Sequence, residues 1–378
     1  MPDHRVLVVG AGIAGLTAAK SLAVVGARVD LVERRAVLGG HAAQLACKAT
    51  DRCVKCGACR VAEAVASVVS DPRIAIHPLS RVAGLRRTPE RFEFAIERNA
   101  GMAAGGDASS GHGFDPPVAA WADAVVLAAG FEVFDPQDAA YGHGIYPNVI
   151  TNLELERRLR ASGGLDRPSD GAAPRRVAFI QCVGSRDARR GHLWCSQFCC
   201  AAALRAAQRI KALRPETEIT VFYIDIQSFG RDFDSFYRQC RQTLRFVRAI
   251  PIEAFEVESA GIRLSYTESA RHPAQEEMFD LVVLSAGMVP TGGLAGIAGQ
   301  LGPDLAATAG GFASAFPEIG FFAAGAVRGP MGIADSIADA RRAAAGATAF
   351  LGLQPGGPRT PSTAADASSG ERVVRQGG

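Results

Sequence analysis

"RVLVVGAGIAGLTAAKSLAVVGARVDLVERR", residues Arg5–Arg35, decides the fold. An apolar run, a glycine triplet, a stretch with helical spacing and a second apolar run predict strand, turn, helix, strand. The glycines are Gly10, Gly12 and Gly15. Gly10 makes the tight turn, Gly12 lets the backbone approach a pyrophosphate, and Gly15 lets the helix close on the sheet. The helix opens near Ile13 and Ala14. Its free N–H groups and positive dipole end point at that pyrophosphate. Glu33, followed by Arg34, ends the second strand about 20 residues on, where an acid takes a ribose hydroxyl. A bare glycine triplet would read as a chance turn; the five features in order read as a dinucleotide site.

Outward from this unit the chain repeats itself. "ADAVVLAAGFEVFDP" from Ala122 and "FDLVVLSAGMVPTGG" from Phe279 each read as an acid, an apolar strand, Ala-Gly and a turn. Alternating stretches, "RFEFAIER" and "IRLSYTES", precede them and read as hairpin strands. A second β-α-β runs from "RRVAFIQCVGSRD" through "FCCAAALRAAQRIKAL" to "ITVFYIDI". The pattern predicts an α/β protein of two Rossmann-like nucleotide-binding halves, each with a β-hairpin insertion. We assign residues 1–160 and 276–352 to the first half and 175–275 to the second. Gly/Ser/Pro-rich residues 101–117 and 161–174 read as loops, and 353–378 as a disordered tail.

The second half lacks the glycine triplet. Where a pyridine nucleotide would lay its pyrophosphate it carries Cys182, Cys195, Cys199 and Cys200, which argues against direct NAD(P)H binding there. Cys182 ends a strand and the other three lie at the start of a helix, so a strand-end thiolate completes a four-ligand cage. A helix N-terminus favours thiolates. Four sulfurs suit zinc or an iron–sulfur cluster, and a redox cofactor next door favours iron. The plain alternative is packed apolar thiols. A second group, "CKATDRCVKCGACRV", holds Cys47, Cys53, Cys56 and Cys59. Its C-x-x-C-x-x-C is the run of ferredoxin-type sites, with Cys47 as candidate fourth ligand, although the usual Pro after a distant fourth Cys is absent. A cluster or cluster-docking site ranks first here, redox-active thiols second, and zinc, which prefers separated pairs, third.

A net charge of +3 with no basic run excludes an argument for nucleic acid. No apolar stretch nears the roughly 18 residues of a membrane span, and the N-terminus enters a strand too soon for a signal peptide. These features predict a cytoplasmic protein, where nine cysteines are metal ligands or redox groups rather than structural disulfides.

Gly39 and Gly40, just after Glu33, resemble the two-glycine follow-on of FAD proteins of the disulfide-reductase and amine-oxidase type. His41 then reads either as a flavin contact or as a loop histidine. "CVGSRD", "WCSQFCC" and "VFYIDIQSFGRDFDSFY" closely resemble the A-type flavoprotein component of heterodisulfide reductase. They resemble even more its compact relatives in heterodisulfide-reductase-like complexes of sulfur-oxidising bacteria. The resemblance covers about residues 5–352. It implies a disulfide-reductase/thioredoxin-reductase type of fold, with residues 1–160 and 276–352 as the FAD-binding domain. It implies a [4Fe-4S] cluster on Cys182, Cys195, Cys199 and Cys200, near the FAD, with the Cys47 group as the site of a possible second cluster. FAD contacts extend to Ala129, Gly130, Gly325, Ala326, Gly332 and Ile333; related flavoproteins carry an Asp where this chain has Ala326. A homodimer and partner subunits are implied, with electron transfer in sulfur and disulfide redox metabolism. The larger members carry ferredoxin-like domains that have no counterpart here. Arg328 reads as a flavin contact or a solvated loop residue. Phe229, Phe233, Phe236 and Tyr237 read as packing, and Cys240 as a buried small residue. Two further readings stand beside this one: a stand-alone flavin-dependent thiol–disulfide oxidoreductase using Cys195, Cys199 and Cys200, and a redox-silent scaffold. No nucleophile–base pair is evident, so no acid or base residue is assigned.

Overall fold

A computed structural model describes residues 3–99, 114–227, 232–258, 261–269, 273–292, 308 and 310–354. Residues 101–113 of the first expected loop, Phe229, and 355–378 of the expected tail lie outside the described residues. Among the described residues the α-helices are α1 (Ile13–Val24), α2 (Cys59–Val69), α3 (Asn152–Ser162), α4 (Cys199–Leu213), α5 (Phe233–Thr243) and α6 (Ile333–Phe350).

The Arg5–Val9 strand is apolar throughout its middle because both of its faces are covered. Val6 and Val8 pack toward α1 and α6 in one cluster, whereas Leu7 faces Leu85, Phe92 and Phe94 of an antiparallel sheet. Five parallel strands form this first sheet, in the order Phe321–Ala323, Ala124–Leu127, Arg5–Val9, Arg28–Val32, Ile74–His77. The antiparallel cover is Ser80–Arg87, Phe92–Arg98 and Val118–Ala122.

The second half repeats the plan. Its parallel sheet runs Arg245–Val247, Glu218–Phe222, Arg176–Val183, Leu281–Ala286, Val149–Thr151. α3, α4 and α5 cover one face, and the antiparallel strands Glu253–Val257, Gly261–Tyr266 and Gln275–Phe279 cover the other. The repeated acid has the same task in both halves. Asp123 accepts the Arg5 N–H at 2.9 Å, and Asp280 accepts the Arg176 N–H at 2.8 Å.

The halves are therefore two Rossmann-like units with antiparallel insertions, but their boundaries differ from the expectation. Val149–Thr151 and Leu281–Ala286, placed by sequence in the first half, hydrogen-bond into the second sheet. Parallel pairing is long-range and leaves no local mark at residues 160 or 276. The halves are joined by a short antiparallel pair, Glu132–Val133 with Met288–Val289. No helix among the described residues is long and apolar enough to cross a membrane.

Candidate functional site

Three glycines between Val9 and α1 meet three different constraints. Gly10 has φ 98°, and a Cβ there would lie 2.5 Å from the Ala128 carbonyl oxygen. A Cβ on Gly15 would fall 1.8 Å from the Gly10 oxygen, because α1 closes directly on the turn. Gly12 meets nothing within 4 Å. The first and third glycines serve the fold, and the second leaves the space in front of α1.

Gly12 is also the N-cap of α1, and no side chain caps that end. α6 starts in the same way at Gly332, just before Ile333. Two helix ends thus keep free N–H donors. α3 is built differently: Thr151 and Glu154 close a full capping box.

The expected contacts gather around these ends. Gly39 bridges to Gly12, its N–H bonding the Ala11 oxygen at 2.7 Å, and a Cβ on Gly40 would lie 3.1 Å from Gly12 Cα. A Cβ on Gly325 would lie 2.5 Å from the Cβ of Ala14. Ala129 and Gly130 follow the Ala128 that roofs Gly10, and Ala326 continues the short helical turn Gly325–Arg328 ahead of Ile333. Glu33 is 6% exposed; its carboxylate accepts the N–H groups of Ala11 at 2.7 Å and Arg35 at 2.9 Å. Both oxygens keep a further lone pair for a hydroxyl. Arg34, beside it in the chain, is half-buried.

His41 stacks on Phe131, with ring centroids 4.7 Å apart. Its Nε2–H donates to the Phe131 carbonyl at 3.0 Å, which leaves Nδ1 as an acceptor, buried and without a partner. Burial, then the charge on Arg35, pushes the imidazole pKa down to about 4, so the ring is neutral. Arg328 forms an ion pair with Asp339 of α6. Asp339 also accepts the Gly325 N–H at 2.9 Å, so it fixes the turn between the last strand and α6. Nothing local in the sequence singles Asp339 out; it is one acid on an amphipathic helix.

The second-half cysteines meet in space. Cys182 occupies a bulge: the register against Leu281–Ala286 shifts between Ile180 and Val183, and Cys182 has φ 63°. A non-glycine residue in this region costs roughly 1–2 kcal/mol, and such a bulge re-aims a side chain. Cys182, Cys195, Cys199 and Cys200 line one narrow cleft together with Ser185, Ser196, Gln197 and Gln227. The Cys195 loop is seated on the repeat's second Ala-Gly turn. Trp194 Nε1–H donates to the Met288 oxygen at 2.9 Å, and Ser196 Oγ accepts the Met288 N–H at 2.8 Å. A Cβ on Gly287 would come within 2.7 Å of Ser196 Oγ. Arg186, from "CVGSRD", ion-pairs with Asp225, from "YIDI", which ties two of the distinctive motifs together beside the cleft.

Burial, and after it the nearby Cys200, pushes the Cys182 thiol up to about 11. Burial also raises Cys199 well above the ordinary thiol value and raises Cys200. The expected help from the α4 N-terminus is outweighed in the chain alone. A metal charge in the cleft would reverse the balance, since coordination deprotonates a thiol outright.

The first cysteine group lies on the surface. Cys47, Cys53 and Cys59 are exposed, Cys56 is half-buried, and Cys59 opens α2. The loop bridges two candidate regions. A Cβ on Gly57 would be 3.2 Å from Ile333 at the start of α6, while Arg205 of α4 donates to the Val54 oxygen at 3.0 Å. Among the described residues no three His, Cys, Asp or Glu side chains gather tightly enough to hold a single metal ion. Phe233 is buried, Phe236 and Tyr237 pack against the same core, and Cys240 is fully buried within it.

Fold and rim together define an α/β dinucleotide-binding fold of the thioredoxin-reductase type. The T. acidophilum thioredoxin reductase superposes with a TM-score of 0.61 at 14% identity, covering 93% of this chain and 99% of that one. Bacillithiol disulfide reductase from Bacillus cereus gives 0.55 at 14% identity, covering 93% and 100%. These likenesses concern the fold. Residues 8–58 match the NAD(P)-binding Rossmann-like domain family. Across 92% of its length the chain is a homologue, at 31% identity, of the second iron-sulfur A component of CoB–CoM heterodisulfide reductase from Methanopyrus kandleri, of which it spans 64%. The corresponding A component from Methanocaldococcus jannaschii is also 31% identical, with 90% of this chain and 63% of that one covered. The chain is thus related to the A components of heterodisulfide reductases and spans less than two thirds of these relatives' length.

Proposed function

We propose that this chain is the FAD- and [4Fe-4S]-carrying electron-transfer subunit of a heterodisulfide-reductase-like complex in sulfur and disulfide redox metabolism. It acts in the cytoplasm as a homodimer bound to partner subunits. The observation that carries the reading is the convergence of Cys182, Cys195, Cys199 and Cys200 on one cleft. A strand end, a loop and a helix start supply them, and the strand end is held in a strained bulge.

The residues of the rim fit a flavin dinucleotide. The uncapped start of α1 and the open space at Gly12 suit a pyrophosphate. Glu33 keeps acceptor capacity for a ribose hydroxyl, and the buried Nδ1 of His41 is an acceptor awaiting a donor. The uncapped α6 at Gly332 favours negative charge on the flavin edge. Bound there, FAD would exchange electrons with the cluster, and the chain supplies position, exclusion of water and electrostatics. The halves approach each other at this place: His41 stacks on Phe131, and Phe131 lies 6.4 Å, ring to ring, from Phe198, the residue before Cys199. α4 carries cysteines where a second dinucleotide would need a free helix end, so electrons reach the flavin by way of the cluster and partner subunits.

A visible spectrum with iron, sulfide and flavin counts on anaerobically purified protein tests the reading. Flavin bands with a broad iron–sulfur shoulder are expected, and Cys199→Ser should abolish the shoulder. Loss of iron in Cys56→Ser as well would give the exposed loop a cluster of its own, or a share in one. Flavin with no iron in the unaltered protein would overturn the reading in favour of a thiol–disulfide oxidoreductase.

A further inference from the structure

We propose that Gln181 is a hydrogen-bond donor to the redox group in the cysteine cleft and that it sets that group's reduction potential. The inference rests on the cluster reading above and goes beyond its ligand set.

Gln181 precedes Cys182 in the bulge and is 1% exposed. Both ends of its amide, Nε2 and Oε1, are buried without a hydrogen-bond partner among the described residues. An unpaired buried amide is costly, and two apolar groups of the same shape would stabilise the chain instead. Strand periodicity gives its direction. Val177 and Phe179 pack with Ala203 and Ala207 of α4, whereas Ala178 and Ile180 face the antiparallel sheet. Gln181 continues the α4-facing row. Val183 returns to the other face, as it must if Cys182 is the inserted residue of the bulge. A helix after a parallel strand runs back along it, so the C-terminal end of the strand is level with the first turn of the helix. Cys199, one turn before Ala203, is therefore at the level of Gln181, and the amide lies under the cleft's buried ligand.

The neighbouring strand repeats the feature. Ser285, also 1% exposed and on the α4-facing row after Leu281 and Val283, has an unpartnered Oγ. Two apolar strands thus turn polar at the same end, where open α/β sheets bind their ligands. Sulfur bound in the cleft is the acceptor that the Gln181 N–H lacks. A hydrogen bond to cluster sulfur stabilises the more negative, reduced form and raises the potential.

The test is an EPR-monitored redox titration of reconstituted protein with and without Gln181→Met, a near-isosteric apolar replacement. Full iron with a lower midpoint potential is expected, together with a higher melting temperature of the iron-free chain. Loss of iron with flavin retained would support the inference in the stronger sense. Gln181→Glu keeps the size but exchanges the N–H donor for an acceptor; it should lower the potential too, and it covers a failure of Gln181→Met to fold. Full iron and an unmoved potential in both variants would overturn the inference alone. Absence of iron from the unaltered protein would overturn the cluster reading on which it stands.

Discussion

At the scale of single residues, Gly12 and Gly15 separate binding from folding. Gly15→Ala forces a methyl group onto the Gly10 oxygen, 1.8 Å away, so helix and turn must part. Overpacking of this kind costs about 1–3 kcal/mol, and the thermal midpoint should fall with flavin bound or absent. Gly12→Ala meets nothing within 4 Å, and its backbone, at φ −70°, accepts any residue. The flavin-free melting temperature should hold while flavin content after purification drops, because the methyl occupies the space before α1. Equal losses of stability in the two variants would show that Gly12 serves the fold. These glycine roles were legible in the sequence because each is a local demand of turn, approach or packing. The bulge at Cys182 was not, since it exists only against Leu281–Ala286, about a hundred residues away along the chain. The cysteines announced themselves by type and spacing; Gln181 did not, because its burial and unpaired amide belong to the packed molecule.

At the scale of elements, the helix starts sort by whether they carry their own cap. α3 satisfies its first turn with Thr151 and Glu154 and needs no ligand. α1 and α6 begin at glycine with nothing in that role. Gly332→Ser supplies α6 with a cap: the backbone at φ −78° and ψ 177° suits one, and the nearest obstacle to a Cβ is Asp335 Oδ2 at 3.6 Å. The flavin-free protein should gain a few tenths of a kcal/mol. The flavin should dissociate faster, because the serine hydroxyl competes for the same N–H groups. A dilution assay following released flavin fluorescence reads this directly, and an unchanged rate would remove α6 from the cofactor site. The strand–turn–helix order of both halves was readable from periodicity. The allocation of Val149–Thr151 and Leu281–Ala286 was not, since a buried parallel strand reads alike whichever sheet it joins. Asp339 escaped notice for a similar reason: its partners, Arg328 and the Gly325 N–H, lie 11 and 14 positions away and meet it only across a turn.

At the scale of the whole molecule, the surface cysteine loop is a strap between the halves. Lys48, beside Cys47, is 2% exposed; its ammonium meets the Glu156 carboxylate of α3 at 2.7 Å. Glu156 also accepts the Ala46 N–H at 2.9 Å, and α4 adds Arg205 to the Val54 oxygen and Arg209 to the Ala49 oxygen. Such a strap holds the dinucleotide rim and the cysteine cleft at a fixed separation, which electron transfer between bound groups requires and a freely rotating pair of domains would not provide. Removing one partner of a buried ion pair strands the other charge and costs about 3–5 kcal/mol. Lys48→Met should therefore lower the urea midpoint sharply. Lys48→Met with Glu156→Gln should recover most of the loss, because glutamine still accepts the Ala46 N–H and carries no charge. The chain's two tryptophans, Trp121 on the first half's antiparallel sheet and Trp194 on the cleft loop of the second, report on the halves separately. With Trp121→Phe or Trp194→Phe as single-reporter backgrounds, the two unfolding curves should coincide while Lys48 is present and separate in Lys48→Met. Coincident curves in Lys48→Met would mean that the remaining ties and the Glu132–Val133 pairing suffice, and that the strap holds the cysteine loop in place without coupling the halves.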